Sequence, residues 1–578
     1  MFFSKKKPPG SGSEEAARLA EVIAYHEATK HHFRRYAASP GYLDWDNQPD
    51  PFRRFEGCSR IQLPFAARDD FPSFNALLGG SRIEPHTFDL GSLGIFFEHS
   101  MALSAWKEYQ GSRWALRVNP SSGNLHPTEG YVVLPPGLPS PGEGLVCHYA
   151  PGEHQLEIRS RIPRELWTKA FPDFPADGFL LGLSSIHWRE AWKYGERAYR
   201  YCQHDIGHAL AALSFSAAML GWRVLLLDTS SDEEVAALFG LDRGMDFLPE
   251  EREHPDLVAL VVPGGIEVNP HEVPLSKPAE VFKSLKWQGQ ANRLSQEHVP
   301  WDRIDAVAVA AAKPKTSPVP SIDENKKSVL RESDGPIPLP EGRLSARDII
   351  LRRRSAVAFD GKTGLPRDVF YSILAQTVPS ISTQGLISPP WGAFPGPGHV
   401  DLCLFVHLVE GIPPGLYCLV RNPAREAALR KAMKRSFLWK KAQGAPEWLN
   451  LFLLLEGDAR TAAARLSCGQ DIAGSSAFSL GMVAEFEPVL QSQGAWKYRH
   501  LFWETGMIGQ ILYLCAEASG IRGTGIGCFF DDPIHDLFGF QNLNFQSLYH
   551  FTAGGPIEDQ RLTSLPPYPL QELGSQEA

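Results

Sequence analysis

What the chain lacks sets its limits. Its eight cysteines (58, 147, 202, 403, 418, 468, 515 and 528) include no C-x-x-C pair, and several, such as Cys403 and Cys515, lie inside apolar runs. A free thiol in such a run behaves as a small hydrophobe. The pattern predicts reduced, buried thiols and a cytoplasmic protein. No apolar run has the length of a bilayer span. The most apolar, ALAALSFSAAMLGW, is short and rich in serine. The opening MFFSKKKPPGSGSEE has no apolar stretch of signal-peptide length. A basic stripe is also missing. Lysines and arginines are scattered and the formal net charge is -9, so neither a nucleic acid nor a membrane surface is an expected partner.

What is there is ordinary soluble composition: 578 residues, 43% hydrophobic and 21% charged. That length suggests more than one domain, each able to bury a core. Ser11 and Glu14 have capping-box spacing, and Leu19, Val22 and Ile23 continue as an apolar stripe to about Lys30. DLVALVVPGG reads as a buried strand near the end of a first half. Polar, proline-rich material follows (KPKTSPVPSIDENKKS, SDGPIPLPEG). A second folded block opens at LSARDII, where Ser345 and Asp348 repeat the capping-box spacing. The predicted division is an N-terminal domain over 1–275, a linker over 276–340 and a C-terminal domain over 341–578.

The halves echo each other. AWKY occurs at 191–194 and 495–498, followed by YRYCQHDIGHALAALSFSAAMLGW and YRHLFWETGMIGQILYLCAEASGI. Asp205 and Gly207 fall in register with Glu504 and Gly506, and each apolar helix ends near a glycine, Gly221 or Gly520. FEG at 55–57 answers FDG at 359–361. Together these predict an internal duplication, a covalently tied counterpart of a two-fold dimer.

Four stretches could carry chemistry. NPSSGNLHP (119–127) packs small hydrogen-bonding residues between prolines just before a strand, TEGYVVLP, which is more than a plain turn needs. Arg352, Arg353, Arg354 and Ser355 end a helix. They form either a solvated C-terminal cluster or a fork that grips a phosphate. Gly523, Gly525 and Gly527 alternate in IRGTGIGCFFDDP, where glycine lets the backbone approach a flat ligand. Arg561 is either a surface arginine or a further anion contact. His204 and His208 lie one helical turn apart; packing histidines are the favoured reading over metal ligands. His126 is read as a brace for its loop.

These stretches carry a resemblance. RRSAVAFDG, NPSSGNLHPTEGYVV, WKYGERAYRY with DIGHALA, GTGIGCFFDDPIHDLFG and the opening YHEATKHHFRRYAASPGYLDWDNQPDPF resemble the flavin-dependent nitroreductase superfamily. Within it they resemble the SagB-type (azoline-dehydrogenase-like) branch, here as a tandem fusion. The resemblance implies an α+β fold: two tandem nitroreductase-like domains, each an antiparallel-dominated sheet covered by helices, forming a pseudo-two-fold intramolecular dimer. It implies an FMN-dependent oxidoreductase, with hydride transfer through the flavin N5 and NAD(P)H as candidate electron donor. Arg353, Arg354 and Ser355 would hold phosphate, with Arg561 as a C-terminal contact. Pro120, Ser121, Ser122 and Asn124 would reach across from the first half, and Gly525, Ile526 and Gly527 would flank the ring. The branch's Lys-Tyr pair maps to Lys193-Tyr194 and Lys497-Tyr498 as candidate catalytic groups, weighed against lysines that merely snorkel.

The complementary site looks lost. Aligning FEG with FDG puts Gln48, Pro49, Asp50 and Pro51 at the phosphate arm, and an aspartate repels phosphate. The second half has PSISTQGLISPPWG instead of PSS-x-N, and the first has GWRVLLLD instead of the glycine-rich turn. One FMN per chain is therefore expected. Val357 stands where the family commonly has a basic residue. The substrate is expected to be a small molecule or peptide-derived, and further oligomerisation stays open. The alternative is a catalytically degenerate flavin-fold protein that docks or scaffolds a biosynthetic partner.

Overall fold

The computed structural model describes residues 11–67, 70–139, 141–175, 177–317, 331–332, 337–340, 344–381, 387–394 and 398–568. The centre of the predicted linker and residues 382–386 of the PSISTQGLISPPWG stretch lie outside the described residues, as does the side chain of Ser11.

Two seven-stranded antiparallel sheets dominate. The first runs Ser59–Gln62, Gln155–Pro163, Glu143–Ala150, Thr128–Leu134, Phe179–Ser185, His254–Pro263, Trp222–Leu226. The second runs Lys440–Lys441, Leu451–Glu456, Gly415–Leu419, Val400–Val406, Phe478–Glu485, Phe545–Gly554, Arg522–Ile526. Six strands correspond in both spatial order and chain order. The seventh, at one edge, comes from a different point in each lobe. The central strands are buried on both faces, because helices cover the sheets, so they read as apolar runs rather than alternations.

Six helices matter below: α1 (Ser11–Ala28), α2 (His187–Tyr194), α3 (Ala198–Met219), α4 (Ala346–Arg352), α5 (Lys497–Ala518) and α6 (Asp531–Phe538). The repeated helices α3 and α5 cross at the centre of the molecule and are buried along nearly their whole length. The register glycines explain the crossing. A Cβ on Gly207 would lie 2.2 Å from the Trp503 carbonyl oxygen, and one on Gly506 would lie 2.2 Å from that of His204. Only glycine lets the two backbones come that close.

Each lobe also sends an arm onto the other. From α1, His26 hydrogen-bonds Tyr498 (3.3 Å) and Gln546 (3.2 Å), and Glu15 accepts the Ala495 N–H at 2.7 Å. The last strand, Thr563–Leu565, pairs with Leu103–Tyr109, whose other partner is Ser112–Arg117.

The capping box at α4 forms as predicted. The Ser345 hydroxyl accepts the Asp348 N–H at 3.2 Å, and the Asp348 carboxylate accepts the Ser345 N–H at 3.2 Å. The predicted linker starts too early. Residues 276–317 hold helices Ser276–Phe282 and Asp302–Ala310, and Gln290–Ala291 pairs with Phe55–Glu56. Leu294, Ile304 and Val307 are buried there, so this stretch packs on the first lobe despite its polar average. Among the described residues no helix is long and apolar enough to cross a membrane.

Candidate active site at the lobe interface

A cleft of about 930 Å³ opens between the lobes, within the size range of sites for drug-sized ligands. The first lobe contributes Pro120–Asn124, His126, Tyr194, Tyr201 and Asp205. The second contributes Arg352–Ser355, Gly525–Cys528, Tyr513 and Arg522.

The loop before strand Thr128–Leu134 is built in advance. Gly123, Asn124 and His126 all have positive φ (59°, 60° and 54°), which is costly for the two residues with a side chain. Side-chain bonds hold them there. The Ser121 hydroxyl accepts the His126 N–H at 2.8 Å, and Asn124 donates its amide to the Ala115 carbonyl at 2.9 Å. The Ser122 N–H and hydroxyl both donate to the Asp205 carboxylate at 3.0 Å. Burial pushes the Asp205 carboxyl up to about 7 against those bonds. His126 is buried, and its Nε2 lies 3.4 Å from the Ala115 carbonyl, which is the bracing role expected of it. Gly123 is needed for space as well as for φ: a Cβ there would lie 2.5 Å from the Tyr194 hydroxyl.

The arginine arm meets this loop directly. Arg353 donates from Nε to the Val118 carbonyl and from Nη2 to the Arg117 carbonyl, both at 3.2 Å, and lies 5.1 Å over the Tyr513 ring. Arg354 donates to the carbonyls of Leu351, Arg353 and Ser104. Neither guanidinium is ion-paired with a carboxylate among the described residues. Burial lowers the pKa of both, that of Arg354 to about 10. Glu517 on the same cleft wall attracts both, but it also neighbours Arg352 and Arg522, so the arm keeps a net positive charge suited to an anion. The exposed Ser355 hydroxyl exchanges a 2.9 Å bond with Tyr513, whose oxygen also accepts the Gly525 N–H at 2.8 Å.

Several cleft walls carry buried polar atoms without a partner: Asn119 Oδ1, Arg117 Nε, His126 Nδ1 and His208 Nδ1. A ligand with a polar edge would satisfy them. An unpaired cationic arm, stranded polar atoms and this volume together fit a phosphorylated planar cofactor such as FMN.

The predicted site residues divide. Pro120, Ser121, Ser122, Asn124, Arg353, Arg354, Ser355, Gly525, Ile526 and Gly527 all line the one cleft. The alternating glycines make room for protein, however. A Cβ on Gly525 would lie 1.9 Å from the Tyr549 hydroxyl, one on Gly523 2.3 Å from the Phe551 ring, and one on Gly527 2.4 Å from Tyr201. Arg561 is exposed, pairs with Asp559 at 2.7 Å and lies outside the cleft, so it is a surface arginine.

Of the two Lys-Tyr pairs, Tyr194 alone is among the cleft-lining residues. Burial holds its phenol well above the ordinary value, so it stays a donor at neutral pH. The Lys193 ammonium lies 5.4 Å from the Tyr194 ring. Lys497, lowered to about 8 by burial, and Tyr498, raised to about 12, sit elsewhere, with Tyr498 against His26. His204 and His208 engage separate partners, the Leu548 carbonyl (3.1 Å) and the Tyr549 hydroxyl (3.2 Å), as packing histidines do.

Some residues at the site carried no sequence signal. Asp531 ties the lobes together: it pairs with Arg197 (3.0 Å) and Arg200 (2.8 Å) and accepts the His31 N–H at 2.8 Å. Arg197 in turn donates to the Gly527 carbonyl at the cleft wall. Asp205 was visible only as a register match; its role appears once the loop is folded.

This fold is that of a known solved structure. The chain is similar to a putative nitroreductase from Anabaena variabilis at 22% identity. The match covers 93% of this chain and 99% of that one, with a TM-score of 0.66, and so spans both lobes. The chain therefore has the nitroreductase fold, α+β with two tandem sheets. A component of the E. coli microcin synthetase McbBCD complex with truncated pro-MccB17 is similar at 20% identity over 46% of this chain and all of that one. Its TM-score is 0.25, too low to support an argument. No protein-family model matches the chain, and no curated protein matches it.

Proposed function

We propose that the chain is an FMN-dependent oxidoreductase of the nitroreductase type with one flavin in the interlobe cleft. The observation that carries this reading is the convergence on one cleft of the Pro120–Asn124 loop of one lobe and of Arg353 and Arg354 of the other, neither of them salt-bridged among the described residues. Arg353, Arg354 and Ser355 would hold the phosphate, and Arg352 adds positive charge nearby, whereas Arg522 is paired with Glu517 and Glu558. FMN supplies hydride uptake and release at its ring. The protein's part is to fix and shield the reacting partners. Asp205 holds the Ser122 corner, so the loop need not be ordered when the cofactor binds. Tyr194 offers a protonated phenol at the cleft wall as a donor toward substrate.

The finer assignment, a SagB-type dehydrogenase acting on a small or peptide-derived substrate with NAD(P)H as donor, is proposed on the WKYG and DIGHALA stretches. A second reading, a degenerate docking protein, is favoured by one observation: main-chain carbonyls already engage Arg353 and Arg354. Reconstitution separates the two. The enzyme reading predicts that purified chain incubated with FMN keeps a flavin spectrum after desalting, that NAD(P)H bleaches it, and that Arg353→Ala/Arg354→Ala loses it. A folded wild-type chain that retains no flavin supports the docking reading.

A further inference from the structure

We propose that Cys468 and Cys528 form a thiol–disulfide exchange site on the cleft wall that reduces a small organic disulfide. The two residues are 60 apart in sequence and belong to no cysteine motif, yet their sulfurs lie 2.8 Å apart. Both are half-buried, so a small molecule can reach them, and Cys528 lines the cleft. The loop that brings Cys468 there is a shaped one. Cys468 and Gly469 both have positive φ, 55° and 73°, and Gln470 donates its amide to the Ser467 carbonyl (2.8 Å) and the Cys528 carbonyl (3.0 Å). A left-handed cysteine is strained, and here the strain brings one thiol to the other.

The surroundings assign the roles. The His31 imidazole lies beside Cys528 and favours its ionised sulfur. Its Nδ1 accepts the Ala37 N–H at 2.9 Å, so in the neutral ring the proton is on Nε2, a donor that wants a thiolate. The two sulfurs share a hydrogen bond that either thiol can donate, and the Arg197 guanidinium adds positive charge. These three, the Cys468 bond foremost, pull the Cys528 thiol down to about 5 against burial, while Cys468 is pushed up. Asp531, Tyr36, Tyr194 and Tyr201 also face the pair; Asp531 is neutralised by Arg197 and Arg200, and the tyrosines stay protonated. Cys528, the one of the two that lines the cleft and has Arg197 and His31 beside it, is thus the attacking thiolate and Cys468 the resolving thiol.

The step balances without a cofactor. The Cys528 thiolate attacks one sulfur of R–S–S–R, forming Cys528–S–S–R and expelling R–S⁻. Cys468 then gives up its proton and attacks the Cys528 sulfur, expelling the second R–S⁻, which takes that proton. Two electrons pass from the protein thiols to the substrate, and a Cys468–Cys528 disulfide remains.

The aromatic disulfide dithiobisnitrobenzoate tests this on the full chain. The wild type is expected to release about two equivalents of thionitrobenzoate in one fast phase and to keep no label, the second release following the first intramolecularly. Cys468→Ser should release about one equivalent and keep the label on Cys528, and Cys528→Ser should lose the fast phase. The fast rate should change less than about threefold between pH 6 and 8, where an ordinary thiol gains on the order of a hundredfold. Stable labelling of wild-type Cys528, reaction only after unfolding, or an ordinary thiol's pH profile would each overturn the assignment. Lone Cys58, whose thiol donates to the Gln288 carbonyl and whose pKa is raised by burial, is the slow internal reference.

Discussion

The two sides of the lobe interface are built on matching strands and helices, yet among the described residues the cleft of about 930 Å³ opens on one of them. On the open side the second lobe's edge strand Arg522–Ile526 carries glycines, the arm before it carries Arg353 and Arg354, and the opposing loop is Pro120–Asn124. On the other side the matching edge strand is Trp222–Leu226, with Trp222, Val224 and Leu226 buried. The segment Trp391–Ala393 packs against it. Trp391 is buried, donates its indole N–H to the Gln376 carbonyl at 3.2 Å, and has Arg421 4.8 Å from its ring. The register acids make the same point. Asp205 and Glu504 each hold the segment leading into the matching central strand, Asp205 at Ser122 and Glu504 at the His399 N–H (2.7 Å). Glu504 is also ion-paired with Arg421, whereas Asp205 faces the cleft without a cation. The same frame supports a binding side and a structural side, depending on whether the charges are matched internally.

Cutting the charges that join the frame has the largest expected effect. Asp531→Asn strands Arg197 and Arg200, and Glu504→Gln strands Arg421; each should cost about 3–5 kcal/mol by chemical denaturation. Burial alone would raise the Asp531 pKa, but Arg197 and Arg200 hold it far below the carboxylate range. Its stabilisation is therefore present at neutral pH and lost only as strong acid protonates it, so the Asp531→Asn deficit shrinks on acidification.

Next comes the packed side itself. Trp391→Ala should cost about 3 kcal/mol through the cavity it leaves, and calorimetry should detect no second FMN there, because the arm at Pro49–Pro51 has no cation to offer. A second flavin in that variant would break the comparison.

Asp205→Asn sharpens it from the other side. Loosening the Ser122 corner should weaken FMN binding about tenfold, some ~1.4 kcal/mol, by fluorescence titration. Glu504→Gln, assayed while folded, should leave flavin affinity unchanged. Because burial raises the Asp205 pKa to about 7, its neutral form is the favoured one. The stability it contributes is full below its unfolded pKa and lost as pH rises to about 7. Wild type should therefore lose stability relative to Asp205→Asn across that window. The smallest effect is expected from Val357→Lys, which adds a cation at an exposed cleft position and should tighten FMN about threefold, more at low salt.

Local signals were legible in the sequence. The Ser345 cap, the loop at 119–127 and the repeat around α3 and α5 all follow from residues close in the chain. What depended on distant partners was not. The glycines at 523–527 read as space for a ligand, but the rings they admit belong to Tyr549, Phe551 and Tyr201. Two Lys-Tyr pairs look alike in sequence, yet only Tyr194 reaches the cleft, because α1 covers Tyr498. The stretch 276–317 has linker composition, and a few spaced, buried apolar residues suffice to anchor it to the first lobe.

The flavin-to-chain ratio of reconstituted wild-type protein, from its absorption spectrum and amino-acid analysis, tests the asymmetry most directly. The account predicts one FMN per chain, lost in Arg353→Ala/Arg354→Ala and kept in Trp391→Ala. A ratio of two, or none in folded protein, would contradict it.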